Sequence, residues 1–262
     1  MSVIVKTEAI VLRSMKYLES SRLVTFYTRQ FGKLTGIVKG ARQPKSKYGS
    51  ALQPTSYVSL VLYKKESREI QTVSQCDVIT PFNRVREDLD KMAVAMKMIE
   101  TVSNVAHEEE ENIPLFKLLV ASLSLVDSAT KEPETLLYSF EIRMASLSGF
   151  HPVFSECISC GTAMNLKNDA AKSVSFNLTK GGSLCVRCEE TAGQKVKIST
   201  AGLRILDRIS SVENLKDVLE VDVEPKHKEE IEHLLWSYLR FHVSGIKPLK
   251  SERVFSKIQQ VS

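Results

Sequence analysis

Four cysteines in two pairs are the residues of this 262-residue sequence best suited to chemistry. Cys157 and Cys160 form one Cys-x-x-Cys pair, and Cys185 and Cys188 form a second one after an interval of 24 residues, 161–184. A turn of that spacing directs two thiolates at one point, and two such turns supply the four tetrahedral ligands that Zn²⁺ prefers. Because four thiolates leave no coordination position for water or substrate, we expect a structural zinc ion and no catalytic metal.

Two other uses of these cysteines fit the sequence less well. A pair of disulfides would suit a secreted protein, but residues 1–6 do not begin the apolar core of a signal peptide. A thioredoxin-like redox site needs only one Cys-x-x-Cys, placed at the start of a helix after a strand. The fifth cysteine, Cys76, lies in a strand-like run and is predicted to be a small buried apolar residue.

Basic residues form the second chemically informative group. Five of them fall within fifteen residues and are interleaved with glycines: Lys33, Lys39, Arg42, Lys45 and Lys47. Lysine and arginine neutralise phosphates, glycine lets a backbone approach closely, and a neighbouring aromatic such as Tyr48 can stack on an unpaired base. This pattern predicts a nucleic-acid-binding loop. The alternative is a solvated loop whose charges serve solubility alone.

The distribution of charge supports an anionic partner for the first third of the chain. Residues 1–80 contain 13 Lys and Arg against 5 Asp and Glu, whereas residues 81–262 contain 23 against 26, within a net charge of +5. A hydrophobic fraction of 43% is ordinary for a soluble globular protein, and no apolar run approaches the roughly 18 residues of a membrane span. We therefore expect a cytoplasmic protein with two domains, of which the first binds a polyanion.

The first 80 residues show the two-residue period of strands. Five short runs rich in Val, Ile, Leu, Thr and Tyr are separated by turn-forming residues; the runs are 8–13, 22–28, 34–39, 57–63 and 69–78. Such spacing predicts a small antiparallel barrel over residues 1–80. Spacing alone does not distinguish an OB-fold from an SH3-like barrel, but the longer third loop and its basic residues favour the OB-fold.

After Pro81 the period changes to that of helices. Apolar stripes predict helices over 89–102, 115–126, about 133–147, a segment capped by Ser199 or Thr200, and a long helix that begins at Pro225. A strand at 174–178 and a turn at 179–182 lie between the cysteine pairs. We therefore predict a multidomain α+β protein: an N-terminal OB-like barrel, then an α-helical domain over 81–262 that carries an inserted four-cysteine zinc module at about 151–195.

Motifs of common enzymes are missing from the sequence. It has no phosphate-binding Gly-x-x-x-x-Gly-Lys loop and no Gly-x-Ser-x-Gly elbow. His227 and His233 are six residues apart, whereas a zinc protease motif requires histidines four apart on one helix face. We expect a binding protein and no enzyme. The acidic run Glu108–Glu111 is predicted to be a solvated loop.

Several fragments together resemble the RecO family of bacterial recombination mediators, from end to end. The resemblance is carried by Lys39-Gly40-Ala41-Arg42, Ala51-Leu52-Gln53-Pro54, Phe140-Glu141, Gly149-Phe150-His151-Pro152, Gly181-Gly182-Ser183-Leu184-Cys185 and Lys247-Pro248-Leu249-Lys250-Ser251. Some members of the family lack the cysteines, so the metal is expected to serve folding. The resemblance implies a nucleoid-associated DNA repair protein that binds single- and double-stranded DNA and anneals complementary strands.

The same resemblance implies protein partners. Such proteins work with RecR to load RecA onto strands coated by the single-stranded DNA-binding protein, and we expect the helical domain to bind the C-terminal tail of that coating protein. Two other classes of function stay open at this point. An RNA-binding or ribosome-associated factor could also combine a barrel with a zinc knuckle, and a metal-dependent nuclease would require clustered carboxylates that the sequence does not show.

Overall fold

A computed structural model describes residues 2–166, 173–190, 193–243, 248, 249 and 251. The chain forms two compact units, of which the first comprises residues 1–128 together with the described C-terminal residues, and the second comprises residues 129–246. The predicted domain boundary near residue 80 marks the end of the barrel. The first two long helices belong to the same compact unit as the barrel, so the units themselves divide about 50 residues later than that boundary.

Five strands close into the predicted OB-like barrel. They are β1 (Val3–Tyr17), β2 (Ser21–Thr28), β3 (Gly32–Val38), β4 (Tyr57–Lys64) and β5 (Ile70–Thr80), in the order β1-β2-β3-β5-β4. The mixed pairing differs from the all-antiparallel barrel expected, because β3 and β5 run parallel where they close the sheet. β1 is longer than predicted: its first half pairs with β4 and its second half with β2, and a register shift between Val11 and Arg13 bends it between them.

The barrel encloses a continuous apolar core. The inward side chains of all five strands are buried, among them Val11, Val24, Phe26, Leu34 and Leu60, each at most 1% exposed. Cys76 lies in this core as predicted, and burial raises the pKa of its thiol to about 12. The alternation of polar and apolar residues therefore identified the inner face correctly.

Within the described residues, three α-helices follow the barrel in the first unit: α1 (Asn83–Glu87), α2 (Leu89–Val105) and α3 (Ile113–Ser128). The Asp88 side chain caps α2 by accepting hydrogen bonds from the N–H groups of Asp90 and Lys91. Phe116 of α3 packs against Tyr27 and Tyr57 of the barrel, with ring centroids 6.1 and 6.3 Å apart. These aromatic contacts explain why the helices and the barrel form one unit.

The acidic run Glu108–Glu111 is exposed, as predicted, and contacts with the barrel also hold it in place. The Glu109 N–H donates to the Lys33 carbonyl at 2.9 Å, and the Glu109 carboxylate lies 2.9 Å from the Lys64 ammonium. A Cβ atom on Gly32 would meet the Glu110 carbonyl oxygen at 2.0 Å, so the segment runs closely along β3. Attraction to basic residues of the barrel therefore tethers this exposed segment.

The second unit combines helices with a three-stranded sheet. Its elements are α4 (Glu134–Leu147), β6 (Ser173–Asn177), β7 (Gly182–Leu184), β8 (Lys195–Ser199), α5 (Thr200–Ser211), a 3₁₀ helix (Leu215–Glu220) and α6 (Pro225–His242). The sheet order is β7-β6-β8. The Ser199 side chain caps α5 through the Gly202 N–H, and Gly149 follows α4 with a φ of +88°, both as the sequence predicts. β8 was not predicted.

The sheet and the two Cys-x-x-Cys turns form what we call the cysteine module, which α6 holds in place. The Tyr238 hydroxyl donates to the Phe150 carbonyl at 2.9 Å. Gly181 has a φ of +73°, and a Cβ atom there would lie 2.3 Å from the same hydroxyl oxygen. A Cβ atom on Gly182 would lie 2.6 Å from Ile158 in the first Cys-x-x-Cys turn. Both glycines are therefore required by close packing, which explains the Gly-Gly pair before Cys185.

None of the helices in the described part of the chain has the length and hydropathy that crossing a bilayer requires.

Candidate metal centre and nucleic-acid surface

The structure brings all four predicted cysteine ligands to one point. The sulfur atoms of Cys157, Cys160, Cys185 and Cys188 all lie within 4.8 Å of one another, and Cys160 Sγ is 3.7 Å from Cys185 Sγ. Tetrahedral ligation at bond lengths of about 2.3 Å requires sulfur atoms to be about 3.8 Å apart. All four cysteines are free thiols, since a disulfide would place two sulfurs about 2.05 Å apart. The cluster therefore fits one metal ion and excludes the disulfide alternative.

Backbone hydrogen bonds shape each turn around the sulfurs. In the first turn the Cys157 N–H donates to the Thr162 carbonyl, and the Gly161 N–H donates back to the Cys157 carbonyl, each at 2.8 Å. In the second turn the Cys188 N–H donates to the Cys185 carbonyl at 2.9 Å. The Ile158 N–H donates to the Ser183 carbonyl at 2.9 Å, which fixes the first turn to the strand that leads into the second.

The pKa values of three of the four thiols are shifted from the ordinary cysteine value. A hydrogen bond with the Thr162 hydroxyl lowers the pKa of Cys160 to about 6. Burial acts to raise the pKa of Cys157, but backbone N–H groups outweigh it and lower that pKa overall. The pKa of Cys188 rises to about 12, because hydrogen bonds with Cys185 and Cys160 hold its proton. A divalent cation at the centre would neutralise the group and release the remaining protons.

Four of the five predicted nucleic-acid contacts lie together on the exposed loop between β3 and β4. These are Lys39, Arg42, Lys45 and Lys47, which we call the basic loop. The Arg42 N–H donates to the Ser20 carbonyl at 2.9 Å, and its guanidinium donates to the Leu18 carbonyl at 3.0 Å, which ties the loop to the β1–β2 turn. The structure thus presents four cations to solvent on a tethered loop.

Lys33 and Tyr48, which the sequence also suggested as nucleic-acid contacts, lie elsewhere in the fold than on the exposed loop. Lys33 does not join the basic loop, because its ammonium donates to the Ser103 carbonyl at 3.0 Å and lies 3.8 Å from the Glu108 carboxylate. Only 17% of its side chain is exposed. Tyr48 is 8% exposed and packs in the barrel core, so the expectation that it stacks on a base is wrong. Its apolar ring is more stable inside the barrel than in solvent, and Tyr48 anchors the loop there.

Sequence reasoning missed a row of side chains on the outside of the barrel. Cross-strand pairing places six residues side by side around the outer surface; in order they are Ile4, Tyr63, Thr72, Ile37, Leu23 and Met15. We call these residues the outer row. Ile4, Tyr63 and Met15 are 64%, 45% and 40% exposed. The sequence does show apolar residues at outward positions of several strands, and this could have indicated the outer row. Only the strand register shows that these residues are neighbours.

A basic side chain adjoins the outer row. Arg13 is exposed, and it lies two positions before Met15 on β1 and therefore on the same face. Exposed apolar and aromatic side chains on a barrel surface can stack against unpaired bases, while neighbouring cations neutralise the backbone. The barrel surface therefore presents cations and exposed apolar side chains next to each other.

Of the two histidines that were compared with a zinc protease motif, His227 is buried in α6 and His233 is exposed. His227 Nδ1 lies 2.6 Å from Glu230 Oε1, and Glu230 accepts hydrogen bonds from the Ser199 backbone and hydroxyl at the start of α5. Across the parts of the chain that the structure describes, the four cysteines are the one cluster with metal-binding spacing.

Comparison with known proteins gives consistent similarities along the whole chain. A family model described as "Recombination protein O N terminal" matches residues 1–82, and one described as "Recombination protein O C terminal" matches residues 86–253. A protein of Chloroherpeton thalassium is 31% identical over 97% of this chain and 98% of its own length. Proteins of Chlorobium limicola and Syntrophus aciditrophicus are 33% and 32% identical over 92% and 98% of this chain, and over 93% and 96% of their own lengths. Each of the three is named "DNA repair protein RecO".

Proposed function

Because the chain belongs to the RecO family of DNA repair and recombination proteins, we propose that it binds single- and double-stranded DNA and anneals complementary strands. The observation that carries this proposal is the exposed, tethered basic loop on an OB-like barrel. With RecR as its partner, the protein would help to load RecA onto strands coated by the single-stranded DNA-binding protein. It would act in the bacterial cytoplasm, at the nucleoid.

Two groups of side chains would contact DNA. Lys39, Arg42, Lys45 and Lys47 would neutralise phosphates, and backbone contacts of this kind carry no sequence information. Tyr63 and its neighbours in the outer row would stack against bases of a single strand. Lys33 is excluded from the proposed contacts because Ser103 and Glu108 already engage its ammonium.

Annealing on this surface requires no catalytic group. Two strands repel each other through their phosphates, and cations that neutralise both backbones reduce that repulsion. Base pairing then supplies the favourable free energy. We therefore infer that the protein acts by binding DNA and not by catalysing a reaction. A role of this kind fits a family of recombination proteins.

The four cysteines would hold one structural Zn²⁺ ion. Sulfur-rich tetrahedral sites favour zinc, and a full set of four thiolates closes the coordination shell. The bound ion would link the two Cys-x-x-Cys turns, so metal binding would contribute directly to the folding free energy of the second unit.

The tail of the coating protein is proposed to bind within residues 81–262. The support is the family membership and the helical surface of this region, which can offer an apolar groove to an acidic, hydrophobic peptide. Chemical cross-linking of a tail peptide to the full chain, followed by mass spectrometry, tests the assignment. Cross-links confined to residues 1–80 would reverse it.

A strand-annealing assay tests the proposed function as a whole. Labelled complementary DNA strands should pair faster with the protein than without it, both bare and coated with the single-stranded DNA-binding protein. The alternative of an RNA-binding or ribosome-associated factor rests on the same combination of barrel and cysteine module. Equal affinity for structured RNA together with no acceleration of DNA annealing would favour that alternative.

A further inference from the structure

The exposed tip of the cysteine module has the composition of a binding surface. Val186, in the second Cys-x-x-Cys turn, is 87% exposed, more than any other large apolar side chain among the described residues. Arg187 follows it and is also exposed. Lys180, from the turn between β6 and β7, reaches the first Cys-x-x-Cys turn, where its ammonium lies 3.5 Å from the Ser159 hydroxyl. We call Lys180, Val186 and Arg187 the knuckle tip.

Comparison of the two cysteine turns shows that the exposure of Val186 does not serve the fold. Ile158 holds the equivalent position in the first turn and packs so closely on Gly182 that a Cβ atom there would lie 2.6 Å from it. Val186 has almost its whole side chain in water. One exposed apolar residue is common on protein surfaces, so the charges beside it must decide whether the tip binds anything.

The cations of the knuckle tip are available to a ligand. Within the described parts of the chain, neither Lys180 nor Arg187 forms an ion pair with a carboxylate. Lys197 of the same module is different, because its ammonium lies 3.9 Å from the Glu189 carboxylate. Glu189 also engages Lys195 through its carbonyl, at 2.9 Å. The module thus pairs the lysines of its sheet and leaves the cations of its tip in solvent.

We propose that the knuckle tip is a second contact site for single-stranded nucleic acid, separate from the barrel. Lys180 and Arg187 would neutralise two phosphates, and Val186 would pack against the face of a base that only an unpaired strand exposes. Zinc knuckles are a recurring module for single strands. The tip is a small projection and not a groove, so its shape suits a splayed strand better than a peptide helix. The inference extends the proposed annealing function and rests on it, because annealing requires one protein to hold two strands.

Four versions of the full-length protein test this inference. They are the parent, a tip variant (Lys180→Ala with Arg187→Ala), a barrel variant (Lys39→Ala, Arg42→Ala, Lys45→Ala and Lys47→Ala) and their combination. The probe is a labelled oligothymidine, titrated at several salt concentrations. Loss of two phosphate contacts should reduce the slope of log affinity against log salt by about 1.4 in the tip variant, and the combination should lose more than either set alone.

A matched control separates the tip from general charge. Arg208→Ala with Lys216→Ala removes the same charge from exposed positions of the same unit, and this protein should bind with the parent's salt slope. A tip variant with the parent's slope would overturn the inference. A barrel variant with the parent's slope would instead contradict the proposed function of the barrel, so the two failures are distinguishable.

Val186→Ser tests the base contact without changing charge. Binding to oligothymidine should weaken, and binding to a blunt duplex of equal length should not change. Equal effects on both ligands, or on neither, would reject the base contact. Metal content is measured for every variant: if the tip changes release the metal but leave nucleic-acid binding intact, Lys180 and Arg187 serve only to balance the thiolate charge, and the inference is rejected.

Discussion

The barrel and the cysteine module differ in what stabilises them. The barrel closes a sheet around a continuous apolar core, so burial of apolar surface stabilises it and its exposed loops can carry charge freely. The module has strands of five, three and five residues, and its two turns meet at four sulfurs. Its apolar core is small and centred on Phe154 and Phe176, so a metal at the sulfur cluster should contribute a larger share of its stability. Substitution of an exposed residue should therefore cost little stability in the barrel loops, whereas substitution of an exposed cysteine ligand should cost much more.

The largest expected effect is the loss of one cysteine ligand. Cys160→Ser should release the metal and destabilise the second unit by about 4 kcal/mol or more, a magnitude typical of lost metal sites. Trp236 is the single tryptophan of the chain and lies in α6, so its fluorescence reports unfolding of the second unit. Hydrogen exchange of the barrel strands should be unchanged. Absence of metal from the parent protein, when it is purified without chelators, would show that the sulfur cluster is not a metal site.

A smaller effect is expected where the module packs against α6. Gly181→Ala introduces a Cβ atom 2.3 Å from the Tyr238 hydroxyl oxygen at a φ of +73°, and we expect a loss of about 2 to 4 kcal/mol in the second unit. Gly149→Ala is the matched control, since Gly149 has a φ of +88° with no neighbouring atom within 4 Å of the added Cβ. It should cost only about 1 to 2 kcal/mol. Equal losses in tryptophan-monitored unfolding would show that the contact with Tyr238 does not constrain the module.

The third prediction concerns the core of the barrel. Cys76→Ala removes a small buried side chain and should cost about 1 kcal/mol, with metal content unchanged. The difference in unfolding free energy between the parent and this variant should shrink as pH rises from 9 towards 12. The native thiol keeps its proton up to a pKa of about 12, whereas the unfolded thiol ionises near 9, so the parent loses stability with rising pH and the variant lacks that loss. Barrel unfolding followed by hydrogen exchange at pH 8 and pH 10 measures it, and a constant difference would contradict the burial of the thiol.

The smallest effect on stability should accompany a large effect on binding. Replacing Lys39, Arg42, Lys45 and Lys47 by Ala should change the free energy of unfolding by no more than about 0.5 kcal/mol, because all four are exposed. The same variant should lose up to about 2.8 from its salt slope for single strands and should fail to anneal them. Lys33→Ala is the contrasting control, expected to leave the salt slope unchanged. A quadruple variant that binds and anneals like the parent would mean that the loop is only a solvated surface.

Periodicity and spacing by themselves determined much of this protein. The two-residue period indicated the barrel, the change after Pro81 indicated helices, and the cysteine spacing identified four side chains that do meet. These features are local, or depend on residue types with few alternative uses. Short turns and caps, such as Ser199 and Gly149, could be predicted for the same reason.

Tertiary structure decided what local pattern could not. Lys33 and Lys45 are both lysines of the same basic stretch of sequence. Only the fold places Ser103 and Glu108 beside Lys33 and leaves Lys45 in solvent. Tyr48 enters the core, and the outer row exists only through the register of five strands. Each of these outcomes depends on contacts between residues far apart in the chain, whose free energies no short stretch of sequence contains.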